Sequence, residues 1–340
     1  MSILKKLNLN QERERVSNSI YNWSFENDNN LNVITLPHNS ADIFVKTIFR
    51  YIIENKKVLY ITDEKDNIQL IESIKRKSEF RGYTHLRNPF SNLDSNLVIS
   101  NFKTSENLER EFDLVIYDEI NSVPMHENDS ILNLVEKVSH GSSKRIFYSV
   151  ESIFPNKNEI ILPVKDRKVP MIEPREIITR IDINKDIPYV VYDYLKWSIN
   201  NNRNVLIYVP SEEKVERVYK YIYKYCLDIS SNISFFIKDK SDIKIIVNFY
   251  KRKKAIMVTD EFSMAAESLT NTDIMVYFAN DEVFSHKILT HLCSRVARTE
   301  RDSRGEAILL CSEKNENIEA AKEIARNFNK EAWERGFLKI

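Results

Sequence analysis

The stretch FDLVIYDEINSVP, Phe112 to Pro124, runs an apolar segment of strand character into two adjacent acids, Asp118 and Glu119. In a parallel sheet, ligands bind outside the C-terminal strand ends. A strand-end Asp-Glu pair suits nucleotide hydrolysis, because one carboxylate holds a hydrated Mg²⁺ while the other orients or deprotonates the attacking water. Upstream, where such an enzyme carries a Gly-rich phosphate loop ending in Gly-Lys-Thr, this chain reads LPHNSADIFVKT, Leu36 to Thr47, without a glycine.

Outward from this stretch, one pattern recurs: a short β-branched or aromatic run, a polar turn, then helical periodicity. That is the signature of β-α units on a parallel sheet. The first half offers strands at Val33 to Leu36, Val58 to Thr62, Leu97 to Ser100, Leu114 to Asp118 and Arg145 to Ser149, with helices over Asp66 to Lys77 and Ile131 to Ser139. After Ile153, four prolines (Pro155, Pro163, Pro170, Pro174) and mixed charges read as an exposed connection, which puts a domain boundary near Val169 to Arg175. The second half repeats the theme, with helices at Tyr189 to Asn200 and Glu212 to Tyr225. Its strands fall at Asn204 to Val209, Ile233 to Ile237, Ala255 to Val258, Ile274 to Phe278 and Glu306 to Cys311, and a closing helix runs from Ile318 to Trp333. The expected fold is α/β, with domains at 1–168 and 169–340.

A chain of 340 residues, 42% apolar, has length for about two domains with separate cores. No apolar run approaches the roughly 18 residues of a membrane span, and the N-terminus lacks a signal-peptide core, so a cytoplasmic location is expected. Cys226, Cys293 and Cys311 lie far apart, and no structural metal is expected. Fifty basic residues balance fifty acidic ones, so any nucleic-acid site must be local. The clusters at Lys75 to Lys77, Lys165 to Lys168 and Lys251 to Lys254 read first as solvated loop or helix ends.

The order of segments resembles the two-domain core of superfamily-2 helicases, most closely the competence helicase family of the comF operon. The resemblance implies two tandem RecA-like domains, each a mostly parallel sheet flanked by helices. FDLVIYDEINSVP is similar to the family's Asp-Glu motif, and RKVPMIEPREI (Arg167 to Ile177) resembles its interdomain segment. NVLIYVPSEEKVERV (Asn204 to Val218) resembles its fourth motif. The stretch from Asn280 to Glu313 is similar to its arginine-bearing sixth motif. The three cysteines cannot supply the family's four-cysteine zinc module.

The departures bear on activity. An ungapped alignment of the first motif puts His38, Asn39 and Ser40 in the phosphate loop, Ala41 at the lysine and Asp42 at the Mg²⁺-binding threonine. A phosphate cradle needs inward N–H groups, cheap for glycine, and a cation. A shifted register makes Lys46-Thr47 the Lys-Thr pair but places the β-branched Val45 at a glycine position. Alternatively, Phe44, Ile48 and Ile52 form the core face of a helix beginning near Ser40 or Asp42, with Lys46 in solvent. Elsewhere, Thr-Pro-Arg becomes Thr62-Asp63-Glu64, Ser/Thr-Ala-Thr becomes Ser149-Val150-Glu151, and Arg-Gly becomes Met264-Ala265. The sixth motif keeps Arg295 and Arg298 but has Ser294 and Ala297 for its two glycines.

If the family roles carry over, Arg298 is the arginine finger, Arg295 a phosphate clamp, Asp118 the Mg²⁺ ligand and Glu119 the residue serving water. Otherwise the two arginines join Glu300, Arg301 and Arg304 in a surface ion-pair cluster, Asp118 is a helix-capping residue and Glu119 is salt-bridged. Three functions stay open. One is a degenerate helicase-like protein that binds single-stranded nucleic acid, expected to be DNA, or a protein of a DNA-processing complex, with no certain cofactor. The second is an active translocase using ATP and Mg²⁺, and the third a protein-interaction scaffold. YKYIYKY, Tyr219 to Tyr225, reads as a packed helix with Val215, Val218, Tyr219, Ile222 and Cys226 inward and Tyr221 and Lys224 outward.

Overall fold

A computed structural model describes residues 9–65, 68–86, 95–108, 111–155, 158–165, 169–264, 269–296 and 305–338. The chain divides into two compact units, one of Met1–Lys168 with Lys330–Ile340, the other of Val169–Asn329.

The first unit runs α1 (Leu9–Trp23), β1 (Asn30–Thr35), a 3₁₀ turn (Ala41–Phe44), α2 (Val45–Ile53), β2 (Val58–Thr62), α3 (Gln69–Lys77) and β3 (Tyr83–Leu86). It continues with β4 (Leu97–Ser100), α4 (Phe102–Ser105), β5 (Phe112–Asp118), α5 (Asn128–Lys137), β6 (Ser139–Ser149) and β7 (Glu159–Leu162). Its strands form one sheet in the order β3-β4-β2-β5-β6-β1-β7. Every pairing is parallel. Helices covering both faces explain why β2, VLYIT, is buried along its whole length and shows no polar alternation.

The second unit holds β8 (Arg175–Ile178), α6 (Tyr189–Asn200), β9 (Asn204–Tyr208), α7 (Glu212–Cys226), β10 (Asn232–Phe236), α8 (Lys244–Lys251) and β11 (Ala255–Thr259). β12 (Thr272–Tyr277), α9 (His286–Cys293), β13 (Ala307–Cys311) and α10 (Glu316–Glu334) follow. Its sheet order is β10-β11-β9-β12-β13-β8, again all parallel. Val205 and Ile207 of β9 pack with Val191 and Leu195 of α6 and Val218 and Ile222 of α7 in the main core of this unit. Below that core, Arg203 Nε donates to Asp273 Oδ1 at 2.8 Å, both side chains being buried.

The strands and helices expected from the sequence are present, with ends shifted by a few residues. The segment after Ile153 differs: rather than only connecting, it supplies β7, which pairs with β1, and β8, which pairs with β13. Each is four residues long, too short to show a period, and sits among prolines. Residues 330–340 return to the first unit, where Arg335 donates to the Ile161 carbonyl (3.0 Å) and pairs with the buried Glu12 (3.2 Å). Tyr221 points inward, not outward, because its ring reaches the core and its hydroxyl donates to the Ile183 carbonyl at 2.9 Å. All three cysteines are buried and free.

Candidate nucleotide site

Loop 36–40 follows β1, at the C-terminal edge of the first sheet. His38 takes a left-handed conformation, φ 60°, where a phosphate loop would use glycine, and its amide donates to the Ile120 carbonyl at 2.8 Å. Asn39 is fully buried, and its side chain fills the loop. Its Nδ2 donates to Thr35 Oγ1 (2.7 Å) and the Val164 carbonyl (3.0 Å). Its Oδ1 accepts from the Arg13 guanidinium of α1 (3.0 Å) and from the Ser40 amide (2.9 Å). Lys165 Nζ donates to the Pro37 carbonyl at 3.3 Å.

Ser40 caps the 3₁₀ turn, its Oγ accepting from the Asp42 amide at 3.3 Å. Ala41 is buried beneath it, and Asp42 pairs with Lys77 of α3 at 3.1 Å. The helix thus starts near Ser40, with Phe44 and Ile48 buried and Ile52 half-buried. Lys46 is exposed and donates to Asn18 of α1 at 2.6 Å, while Thr47 is fully buried.

Asp118 ends β5 with its carboxylate buried and surrounded by donors. Oδ1 accepts from the amides of Ile120 (2.7 Å) and Asn121 (3.3 Å). Oδ2 accepts from Asn121 Nδ2 (3.0 Å) and from the hydroxyl of Tyr60, on the adjacent strand β2. Burial pushes the Asp118 carboxyl above its ordinary range, against the pull of these donors. The Tyr60 phenol is driven far up by burial, which keeps it a donor. Glu119 is also buried, and its amide donates to the Tyr148 carbonyl at 3.1 Å. The Tyr148 hydroxyl donates to the Ser40 carbonyl (3.2 Å), and its ring meets Phe44 edge-on at 5.0 Å. Loop 36–40 and the ends of β5 and β6 are therefore tied together.

Both acids after β2 are engaged locally: Glu64, at the cation position, accepts from the Gln69 amide at 3.0 Å. Asp63 Oδ1 accepts from the Phe102 amide (3.1 Å), and His126 Nε2 lies 2.6 Å from Oδ2. Ser149 donates to the Glu151 carbonyl. In the second unit, Arg295 is buried: its guanidinium donates to the Tyr208 hydroxyl and to the Phe262 carbonyl. Arg298, Ala265 and Ala297 lie outside the described residues.

Tyr60, Tyr148 and Tyr208 were not among the expected site residues. Their signal was a tyrosine near the end of each buried strand, in VLYIT, IFYS and NVLIY. Arg13 and Asn121 gave none.

No protein-family model and no curated protein matches the chain. Among solved structures, a point variant of S. cerevisiae Dbp5 bound to RNA and ADP BeF3 is similar, with a TM-score of 0.59 at 12% identity over 97% of this chain and 88% of that one. RecG bound to a three-way DNA junction gives 0.55 at 14% identity, over 97% of this chain and 46% of RecG. The chain shares the fold of these two structures. Its two parallel-strand sheets, each flanked by helices, are tandem RecA-like domains. Among the described residues, no helix is long and apolar enough to cross a membrane, and no group of three or more His, Cys, Asp and Glu is placed to hold a metal ion.

Proposed function

We propose that this chain is a degenerate helicase-fold protein that binds single-stranded nucleic acid or a partner of a DNA-processing complex and hydrolyses little or no ATP. The observation that supports this reading is that the chain's own groups fill the positions where the motif resemblance would put a nucleotide. Asn39 fills the loop with a side-chain amide held by Arg13, and four donors from the chain surround the Asp118 carboxylate. Phosphates and a hydrated Mg²⁺ do not fit these groups: Ala41 brings no cation, Asp42 is paired with Lys77, and Tyr60 and Asn121 would have to leave Asp118.

Phosphoryl transfer rests on positioning and charge neutralisation. By analogy with an oxyanion donor, each missing contact removes about 3 to 4 kcal/mol of transition-state stabilisation. The nucleic-acid reading is supported by the fold and by the motif order, which resembles the competence helicase family. Titration with Mg²⁺ and a non-hydrolysable ATP analogue, then with single-stranded DNA, tests it. Binding of DNA alone is the expected result; DNA-stimulated phosphate release would return the active translocase, and silence to both ligands the scaffold.

A further inference from the structure

A different constellation lies where the end of α1 meets α2. Tyr21 and Phe25 are four residues apart, as are Lys46 and Arg50 of α2, so the two cations stand about 6 Å apart along the helix. The Lys46 ammonium lies 4.3 Å from the centroid of the Tyr21 ring, and the Arg50 guanidinium 3.5 Å from that of Phe25. The two rings meet edge to face at 5.2 Å. Arg50 is fixed further by Glu54, 2.8 Å from its Nε, and by the Ser24 hydroxyl. Phe25 nevertheless remains 57% exposed.

We propose that Phe25, backed by Arg50, is a stacking platform for an unpaired base of single-stranded nucleic acid, with Lys46 meeting a phosphate of the same strand. The assignment rests on the nucleic-acid binding proposed above. An exposed aromatic face held rigid from behind stacks on any base without reading its sequence. Arg50 is already answered by Glu54, whereas the hydrogen-bond partner of Lys46 is the neutral Asn18. One cation is thus left for phosphate, so binding is carried by stacking and varies little with salt, with a log–log slope near −0.7 for one contact on a single strand. A site made of charge alone would give a much steeper slope.

The experiment is fluorescence anisotropy with labelled oligo(dT) across a salt series, on the full chain and its Phe25→Ala, Phe25→Leu, Phe25→Trp and Lys46→Gln variants. Ala and Leu are expected to weaken binding about tenfold, within the range for losing one stacked base. Trp is expected to retain it, with indole emission quenched by the bound strand. Lys46→Gln should flatten the salt slope. If the parent protein binds oligo(dT) and Phe25→Ala binds equally well, the platform is wrong while the nucleic-acid reading stands, and a lowered melting temperature with unchanged affinity would make the Phe25–Arg50 contact a helix clamp. Failure of the parent protein to bind removes both.

Discussion

The Tyr60 hydroxyl donates to the Asp118 carboxylate across the β2–β5 pair, where Tyr60 faces Ile116, two residues before Asp118 on the same face of the sheet. Tyr60→Phe leaves a buried carboxylate one donor short, an expected loss of about 1–3 kcal/mol in denaturant-unfolding stability.

Asp118→Asn should respond to pH in the opposite sense to a surface acid. Because burial raises the folded-state pKa of Asp118 above its unfolded value, its contribution to stability is complete below about pH 3.9 and is lost as pH rises through the raised value. Asn carries no such loss. Melting temperatures compared from pH 4 to pH 7 should favour Asp118→Asn increasingly as pH rises.

Asn39→Ala removes the group that fills loop 36–40 and strands the buried Val164 carbonyl, while Thr35 Oγ1 keeps its bond to the Leu162 carbonyl. An expected loss of about 1–3 kcal/mol follows. Arg13→Ala, at a half-buried position, should cost less. Urea unfolding of the two variants orders them.

Arg295→Lys should destabilise almost as much as Arg295→Ala. The planar guanidinium serves Tyr208 and Phe262 together, which a single ammonium on a flexible stem does not reproduce. Losing hydrogen bonds from a charged group costs about 1.5–3 kcal/mol, readable by thermal melting.

Burial raises Cys226, Cys293 and Cys311 to about 12. A thiol-reactive dye at pH 8 should therefore label none of them in the native protein and all three after unfolding.

The sheets were legible because a parallel strand covered on both faces, such as Val58–Thr62 or Asn204–Tyr208, is an unbroken apolar run with sharp ends. The edge strands Glu159–Leu162 and Arg175–Ile178 were not, since four residues carry no period and their pairing is set by distant partners. At the site, the absence of glycines from Leu36 to Thr47 was plain. What replaced them was not: Arg13 lies 26 residues from Asn39, and Tyr60 58 residues from Asp118, so only the packing of α1 and the sheet order bring them together.

Calorimetric titration of the purified protein with Mg²⁺ and a non-hydrolysable ATP analogue, with and without single-stranded DNA, shows whether nucleotide is excluded while nucleic acid binds. The expected result is no heat with nucleotide and clear binding of DNA. Nucleotide binding at or below about 100 μM, roughly 5.5 kcal/mol, would contradict it and show that Asn39 and Tyr60 yield their places to phosphate and metal.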